Sequence, residues 1–357
     1  MRILLIIHSL GPGGMERVMA TIANYFVQKK KVQVDVLLCG RKREVFFELD
    51  SNINIHKPNF SFNNSIRTWH TIKTLIFIRQ KVKSLKPDRI LSFGEQWNNL
   101  VLLSTYGLKF PVFISDRSQP NKDLGKLNNF IRNRLYRRAT GFIAQTHFAA
   151  ENAKQNNWNE NIQVIGNPIR QIIPQYPLKR EKIVLAVGRL IDTKHFDKLI
   201  KHFKKIGNPH WKLVIVGGDA KKQNNFLKLK SLVKKLNAEK SIFLEGTKNV
   251  IDPYYLKSSI FAFSSSSEGF PNVIGEALSA GLPVVSFDCV AGPSEMIEDS
   301  VNGYLVPVMD FNAFQKKLAY LMENEDIREK MASRASESIK CYDANYICEK
   351  MYSFIVN

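Results

Sequence analysis

A stretch from Ser264 to Gly281, S-S-S-S-E-G-F-P-N-V-I-G-E-A-L-S-A-G, restricts this chain more than any other. The apolar run Ile260 to Phe263 reads as a buried strand that opens into four serines and then a loop of Glu268, Gly269, Phe270 and Pro271. The pattern predicts a short helix from Asn272, with Asn272 as its N-cap and Gly281 with Pro283 as its stop. A helix start offers free backbone N–H groups and the positive end of its dipole, which suit a phosphate. Glu268 and Glu276, with seven residues between them, add carboxylates that accept hydrogen bonds from sugar and ribose hydroxyls. A lone Glu pair at this spacing is ordinarily two surface residues. The mixture of helix-start amides and carboxylates suggests a nucleotide-sugar site.

The run E-G-F-P-N-V-I-G-E-A-L-S-A-G-L-P-V-V resembles the C-terminal-domain signature of the retaining glycosyltransferases of family 4, which have the GT-B fold. The match is dense here and extends more thinly from Met1 to about Pro307. The resemblance implies an α/β chain of two Rossmann-like, doubly wound domains facing each other across a cleft.

Composition agrees with a globular chain of that size. At 357 residues and 44% hydrophobic content there is material for two cores. No apolar run approaches the ~20 residues that span a bilayer, and Ile3 to Ile7 followed by Gly11-Pro12-Gly13-Gly14 reads as a strand and turn rather than a signal peptide. Cys39, Cys289, Cys341 and Cys348 show no metal or disulfide spacing, so the expected home is the reducing cytoplasm. The net charge of +20 is uneven: residues 1–177 hold 26 Lys and Arg against 11 Asp and Glu, and the remainder 26 against 21. An anionic partner is implied for the first half: membrane phospholipid, a diphosphate-linked acceptor or nucleic acid. No recognisable nucleic-acid module accompanies the charge, and none is expected as a partner.

The first half opens as strand, glycine turn and helix, the beginning of a doubly wound sheet. G-P-G-G is not the dinucleotide fingerprint; it is either a tight turn, or Gly13 and Gly14 admit a ligand close to the backbone. The family's loop at this place faces the donor phosphates. Further strands are expected at Val32–Cys39, Ile53–His56, Arg89–Phe93, Val112–Ser115, Gly141–Gln145 and Ile162–Ile165. Arg67 to Lys86 reads as one helix, with Leu75, Ile78, Val82 and Leu85 as its apolar face and Lys73, Arg79, Lys81 and Lys83 as charge elsewhere. Phe130 to Arg138 is a second basic segment, carrying Arg132, Arg134, Arg137 and Arg138. Both are either solvated faces or surfaces for anionic lipid and a polyprenyl diphosphate; the family's lipid-linked oligosaccharide enzymes have a basic helix in this region. Asp116, at a strand's C-terminal end, falls where the family tends to carry an acid or histidine near the reacting sugar.

Pro168 to Pro177 lacks periodicity and reads as a linker, dividing the chain into 1–170, 178–337 and a terminal helical segment 338–357. GT-B enzymes return such a segment to the first domain. In the second half the strand Ile183–Val187 leads into Gly188-Arg189-Leu190 and then Lys194. An arginine and a lysine at a buried strand's end suit a diphosphate, and they resemble the family's G-R-L…K element, although His195 stands where that element usually has glycine. Thr247 to Val250, including Asn249 and Val250, falls where the family meets the nucleotide base.

These residues imply transfer of a hexose or N-acetylhexosamine from a nucleotide diphosphate sugar, UDP foremost, to a lipid-linked or glycan acceptor. Glu268, Arg189, Lys194 and Asp116 are the catalytic candidates. Gly13, Gly14, Asn249, Val250, Gly269, Phe270, Pro271, Asn272, Val273 and Glu276 join Arg189, Lys194 and Glu268 as donor-binding candidates. No Asp-x-Asp occurs, so neither a metal nor another cofactor is expected, and the cations would take the metal's place on the diphosphate. The enzyme would work peripherally at the inner face of the cytoplasmic membrane. Two alternatives stand beside this reading: a UDP-sugar 2-epimerase of the same architecture, and a non-enzymatic basic adaptor for membrane or nucleic acid.

Overall fold

The computed structural model describes residues 1–174, 179–220 and 223–357. Its chain forms two compact units, Met1–Pro168 with Ala344–Asn357, and Ile169–Asp343.

The first unit runs β1 (Arg2–Ile7), α1 (Gly14–Gln28), β2 (Gln33–Leu38), β3 (Asn54–His56), α2 (Arg67–Leu85), β4 (Arg89–Phe93), α3 (Glu95–Ser104), β5 (Val112–Ser115), α4 (Lys126–Leu135), β6 (Gly141–Ala144), α5 (His147–Gln155) and β7 (Ile162–Val164). Its seven strands are all parallel, in the order β3-β2-β1-β4-β5-β6-β7. Strands buried on both faces read as near-continuous apolar runs, and Ile3 to Ile7 are all fully buried. One face of the sheet is filled by Ile78, Val82, Val101, Leu102, Tyr136 and Trp158 among others, from the helices and turns that precede and follow β4, β5 and β6.

The second unit runs β8 (Ile183–Val187), α6 (Phe196–Ile206), β9 (Lys212–Val216), α7 (Asn225–Lys235), β10 (Ile242–Gly246), α8 (Asp252–Lys257), β11 (Ile260–Phe263), α9 (Asn272–Ser279), β12 (Val284–Phe287), α10 (Pro293–Met296), β13 (Gly303–Val306), α11 (Phe311–Glu323) and α12 (Glu325–Ser338). Six parallel strands lie in the order β10-β9-β8-β11-β12-β13. The two sheet faces carry separate clusters, one with Phe196, Phe203 and Phe314, the other with Ile274, Leu278 and Ala335. In each unit the order reverses beside the first strand, between β1 and β4 and between β8 and β11. Ligands of open α/β sheets bind at the C-terminal ends of strands flanking such a point.

Three expectations from the sequence need correction. Residues 169–172 are not linker: Ile169 and Ile172 are 1% and 2% exposed and belong to the second unit's core. The remainder of that proposed linker, residues 175–178, lies outside the described residues. At the other end, Ile339 is fully buried in the second unit, so the segment that joins the first unit begins at Ala344 rather than 338. That segment is α13 (Ala344–Val356), which packs on α1. Finally, the buried stripe of α2 is His70, Thr74, Ile78 and Val82, rotated from the expected one, so Leu75 and Leu85 are only half-buried.

Candidate functional site

At the β8/β11 reversal, the loop after β8 and the four-serine loop after β11 are stitched together. Ser264 Oγ donates to Lys194 O at 2.7 Å, Ser265 Oγ to Thr193 O at 3.2 Å, and Ser266 N to the same carbonyl at 2.9 Å. Ser264, Ser265 and Ser266 therefore hold the turn between the two loops. His195 has φ 50° and ψ 35°, the left-handed conformation that a glycine adopts freely. The departure from glycine thus leaves the turn intact, and Nε2 of His195 lies 2.8 Å from Ser266 Oγ. Lys194 consequently points across to Glu268, Nζ to Oε1 at 2.5 Å, with Nζ also 4.8 Å from the Phe263 ring centroid. Both members of this pair are mostly shielded, which strengthens it over a surface ion pair. Arg189 is exposed, and its side chain has no hydrogen bond or ion pair among the described residues.

Glu268 leads through Gly269 and Phe270 to α9. The cap residue of α9 is Pro271 and its first helical residue is Asn272, which corrects the expected N-cap. Asn272 N turns back to Phe270 O and Ile274 N to Pro271 O, at 3.0 and 2.9 Å. Gly269, Phe270 and Val273 have no such backbone acceptor among the described residues, so their amides remain at the helix head for an anion. Gly292, unnoticed in the sequence, supports this corner. At φ +104° it sits where an added Cβ would come within 2.1 Å of Pro271 Cδ.

Glu276 lies one turn into α9 and is 1% exposed. Tyr255 Oη donates to its Oε2 at 2.9 Å, and Arg170 Nε stands 3.5 Å from its Oε1. It is therefore a buried, paired carboxylate and not a residue at an open mouth. Beyond β9, Gly217 packs so closely that a Cβ there would meet Gly188 O at 1.8 Å. Asn249 and Val250 are exposed in the loop between β10 and α8. The second unit thus brings together Lys194 and Glu268 ahead of the head of α9, with Glu276 beneath, while Arg189 stands exposed just past the end of β8.

Gly13, Gly14 and Asp116 belong to the first unit. Gly13 caps α1 in extended conformation, and the acid beside it is the chain's own: a Cβ on Gly13 would meet Glu16 Oε2 at 2.2 Å. Glu16 Oε1 in turn pairs with His8 Nε2 at 3.2 Å, and His8 stacks on Trp97. Gly14 is exposed at the first position of α1. Asp116 does not present an open carboxylate. Tyr136 Oη donates to its Oδ1 at 2.6 Å and Asn98 Nδ2 at 3.0 Å. Burial pushes its pKa up to about 7, with the Glu95 charge adding to the rise and the Tyr136, Arg132 and Asn98 contacts opposing it. Next to it the Arg117 guanidinium lies 3.4 Å over the Phe93 ring.

The basic helices divide into structural and displayed cations. Arg79 donates to the carbonyls of Ser104 and Tyr106, tying α2 to the end of α3. Arg132 is buried on the Trp158 ring, so it is not part of a displayed surface. Arg137 donates Nε to Asn157 O. Lys83, Arg134 and Arg138 are exposed, with Arg134 over Phe130 and Arg138 over Tyr106. Lys73 and Lys81 are half-buried and line a groove of about 390 Å³ with Lys57 and Phe60. Around them Trp69, Ile72, Ile76, Leu127 and Phe130 stand exposed. No helix among the described residues is long and apolar enough to cross a membrane, and no three His, Cys, Asp or Glu side chains gather there as a metal site.

Comparison with known proteins adds the following. Residues 12–170 match the family described as Glycosyltransferase Family 4, and residues 169–338 the family described as Glycosyl transferases group 1. A Haemophilus influenzae protein described as an uncharacterized glycosyltransferase is 28% identical, over 95% of each chain. A Campylobacter jejuni α-1,4-N-acetyl-D-galactosaminyltransferase, named for an undecaprenol diphosphate-linked acceptor, is 26% identical over 99% of this chain and 98% of its own. The crystal structure of Anabaena HepE in complex with UDP superposes with a TM-score of 0.80 over 99% of each chain at 20% identity, which speaks to the fold.

Proposed function

We infer that this chain, a member of the family 4 glycosyltransferases with the two Rossmann-like units of the GT-B fold, moves a hexose or N-acetylhexosamine from a UDP-sugar to a lipid-linked oligosaccharide or polysaccharide precursor, with retention at the anomeric carbon. The observation that carries the donor half is the shielded Lys194–Glu268 pair, fixed by the serine loop beside exposed Arg189 and the head of α9. A diphosphate leaving group gathers negative charge as the glycosidic bond breaks, and preorganised cations and amides stabilise it without reorganising. Arg189 and Lys194 with the amides of Gly269, Phe270 and Val273 fill that role, so no metal ion is required. Glu268 accepts from donor-sugar hydroxyls, Asn272 helps orient the sugar, and Glu276 accepts from ribose hydroxyls. Asn249 and Val250 line the base.

The acceptor half rests on the first unit's displayed cations and exposed apolar side chains on α2 and α4, a mixture suited to an anionic lipid surface. The names of the Campylobacter relative's acceptor and of the UDP-bound neighbour support the same assignment. The test is a thermal-shift panel of UDP, GDP, ADP and TDP, each with and without EDTA. A ligand that binds only the folded state raises the Tm by mass action. UDP alone should raise it, equally in EDTA. A shift that requires a divalent cation would overturn the metal-free assignment, and a shift with another nucleotide would replace UDP.

A further inference from the structure

Glu276 needs partners, because an ionised carboxylate at 1% exposure is costly without them. One partner comes from the segment that sequence periodicity leaves blank. Arg170 Nε faces Glu276 Oε1 at 3.5 Å, while Nη1 of the same guanidinium reaches Asp252 Oδ1 at 2.5 Å. Asp252 opens α8, immediately after the loop holding Asn249 and Val250. The arginine is held as firmly as the groups it joins. Ser279 Oγ donates to Arg170 O at 3.1 Å and accepts from Ile172 N at 3.1 Å. Ile169 lies against Gly275, where an added Cβ would come within 2.8 Å of its side chain. The backbone of Arg170 is thus clamped to α9 on the turn that carries Glu276.

We propose that Arg170 is a positioning residue for the donor's ribose. It fixes the rotamer of Glu276 and ties that carboxylate to the head of α8, so that the site distinguishes a ribonucleotide from its 2′-deoxy counterpart. The proposal rests on the assignment of Glu276 to ribose hydroxyls. Each carboxylate oxygen has two lone-pair directions. Tyr255 donates to Oε2 and Arg170 faces Oε1, so the plane of the carboxylate is fixed between α8 and α9. The planar guanidinium fork serves Glu276 and Asp252 together, which a lysine ammonium, a single point charge, does less well.

The experiment titrates UDP and 2′-deoxyuridine 5′-diphosphate calorimetrically into wild type, Arg170→Met, Arg170→Lys, Asp252→Asn, Glu276→Gln and the Arg170→Met/Glu276→Gln double variant, with the Tm of each nucleotide-free protein recorded. A hydrogen bond to a charged acceptor should give wild type a preference for UDP of about tenfold or more. Arg170→Met should reduce that preference to within about threefold, and Arg170→Lys and Asp252→Asn should fall between. The double variant should lose no more than Glu276→Gln alone, as expected of residues acting through one another. An unchanged preference in Arg170→Met, or in both Arg170→Lys and Asp252→Asn should the methionine variant not fold, overturns the proposal while Glu276→Gln loses its preference. An unchanged preference in Glu276→Gln overturns the ribose assignment itself, and the role of Arg170 with it.

Discussion

The Asp116 carboxyl accepts from Tyr136 and Asn98, yet burial, with the Glu95 charge behind it, moves its pKa from 3.8 up to about 7. Between those values the native state keeps a proton that the unfolded chain has released. Stability therefore falls as pH rises from about 4 to about 7, and the loss is complete above pH 7. At about 1.4 kcal/mol per tenfold the charged native form is disfavoured by roughly 4 kcal/mol. Asparagine at this position would keep an oxygen for both donors and carry no charge. Asp116→Asn should match wild type in Tm near pH 4 and exceed it by several degrees at pH 8. Tm curves for the two proteins that run parallel from pH 4 to pH 8 would show that the carboxyl titrates normally. At this scale the sequence revealed little: Asp116 was readable as a polar strand end, but Tyr136 and Asn98, 20 and 18 residues away, were not readable as its partners. Arg170 and Glu276 make the same point across 106 residues.

Packing of one element on another shows most clearly at Gly292, which precedes α10 at φ +104° and ψ −44°. A side chain there is strained in its backbone and collides with Pro271 in the loop that feeds α9. Gly292→Ala should lose roughly 1–3 kcal/mol, a Tm drop of about 2–10 °C for a unit of this size. Because the displaced loop carries Phe270 and the head of α9, UDP affinity should fall as well. Gly107→Ala supplies the control: its φ is +74° and nothing lies within 4 Å, so it should lose stability without losing UDP affinity. Equal UDP affinities in the two variants would detach Gly292 from the site.

Elements were legible where burial leaves a simple mark. The strands ending at Phe93, Ser115, Val187 and Phe263 are readable to the residue, because parallel strands buried on both faces are mostly apolar runs closed by polar or glycine residues. The helices α3 and α5 were missed. The first follows Gly94 with no capping side chain and buries two asparagines, and the second buries only Ala150 and Ala153, so neither shows an apolar period. Residues 169–172 were read as linker because two isoleucines three apart are too few to declare a face.

The whole chain visits its first unit twice, and α13 is the return. Phe354 fills the space beside Gly141 and packs on Phe113, and Tyr352 packs on Phe26. Glu349 accepts from Tyr25 and Lys30, while Arg89 donates to the carbonyls of Ile355 and Val356. Removing residues 344–357 would uncover fully buried Phe26 and strand β4, and would leave Nε and Nη2 of Arg89 without their acceptors. Each fully buried large side chain exposed in this way costs about 1.5–3 kcal/mol, a large share of a domain's margin. The second unit, Ile169–Asp343, keeps its own two-sided core in the truncated chain. Limited proteolysis should therefore place the new cuts within residues 1–168, while a fragment spanning the second unit survives longer and is protected further by UDP. Cuts distributed equally over both units would mean that α13 supports the entire chain, and the sequence-distant return would then be a condition for donor binding as well as for the first unit's fold.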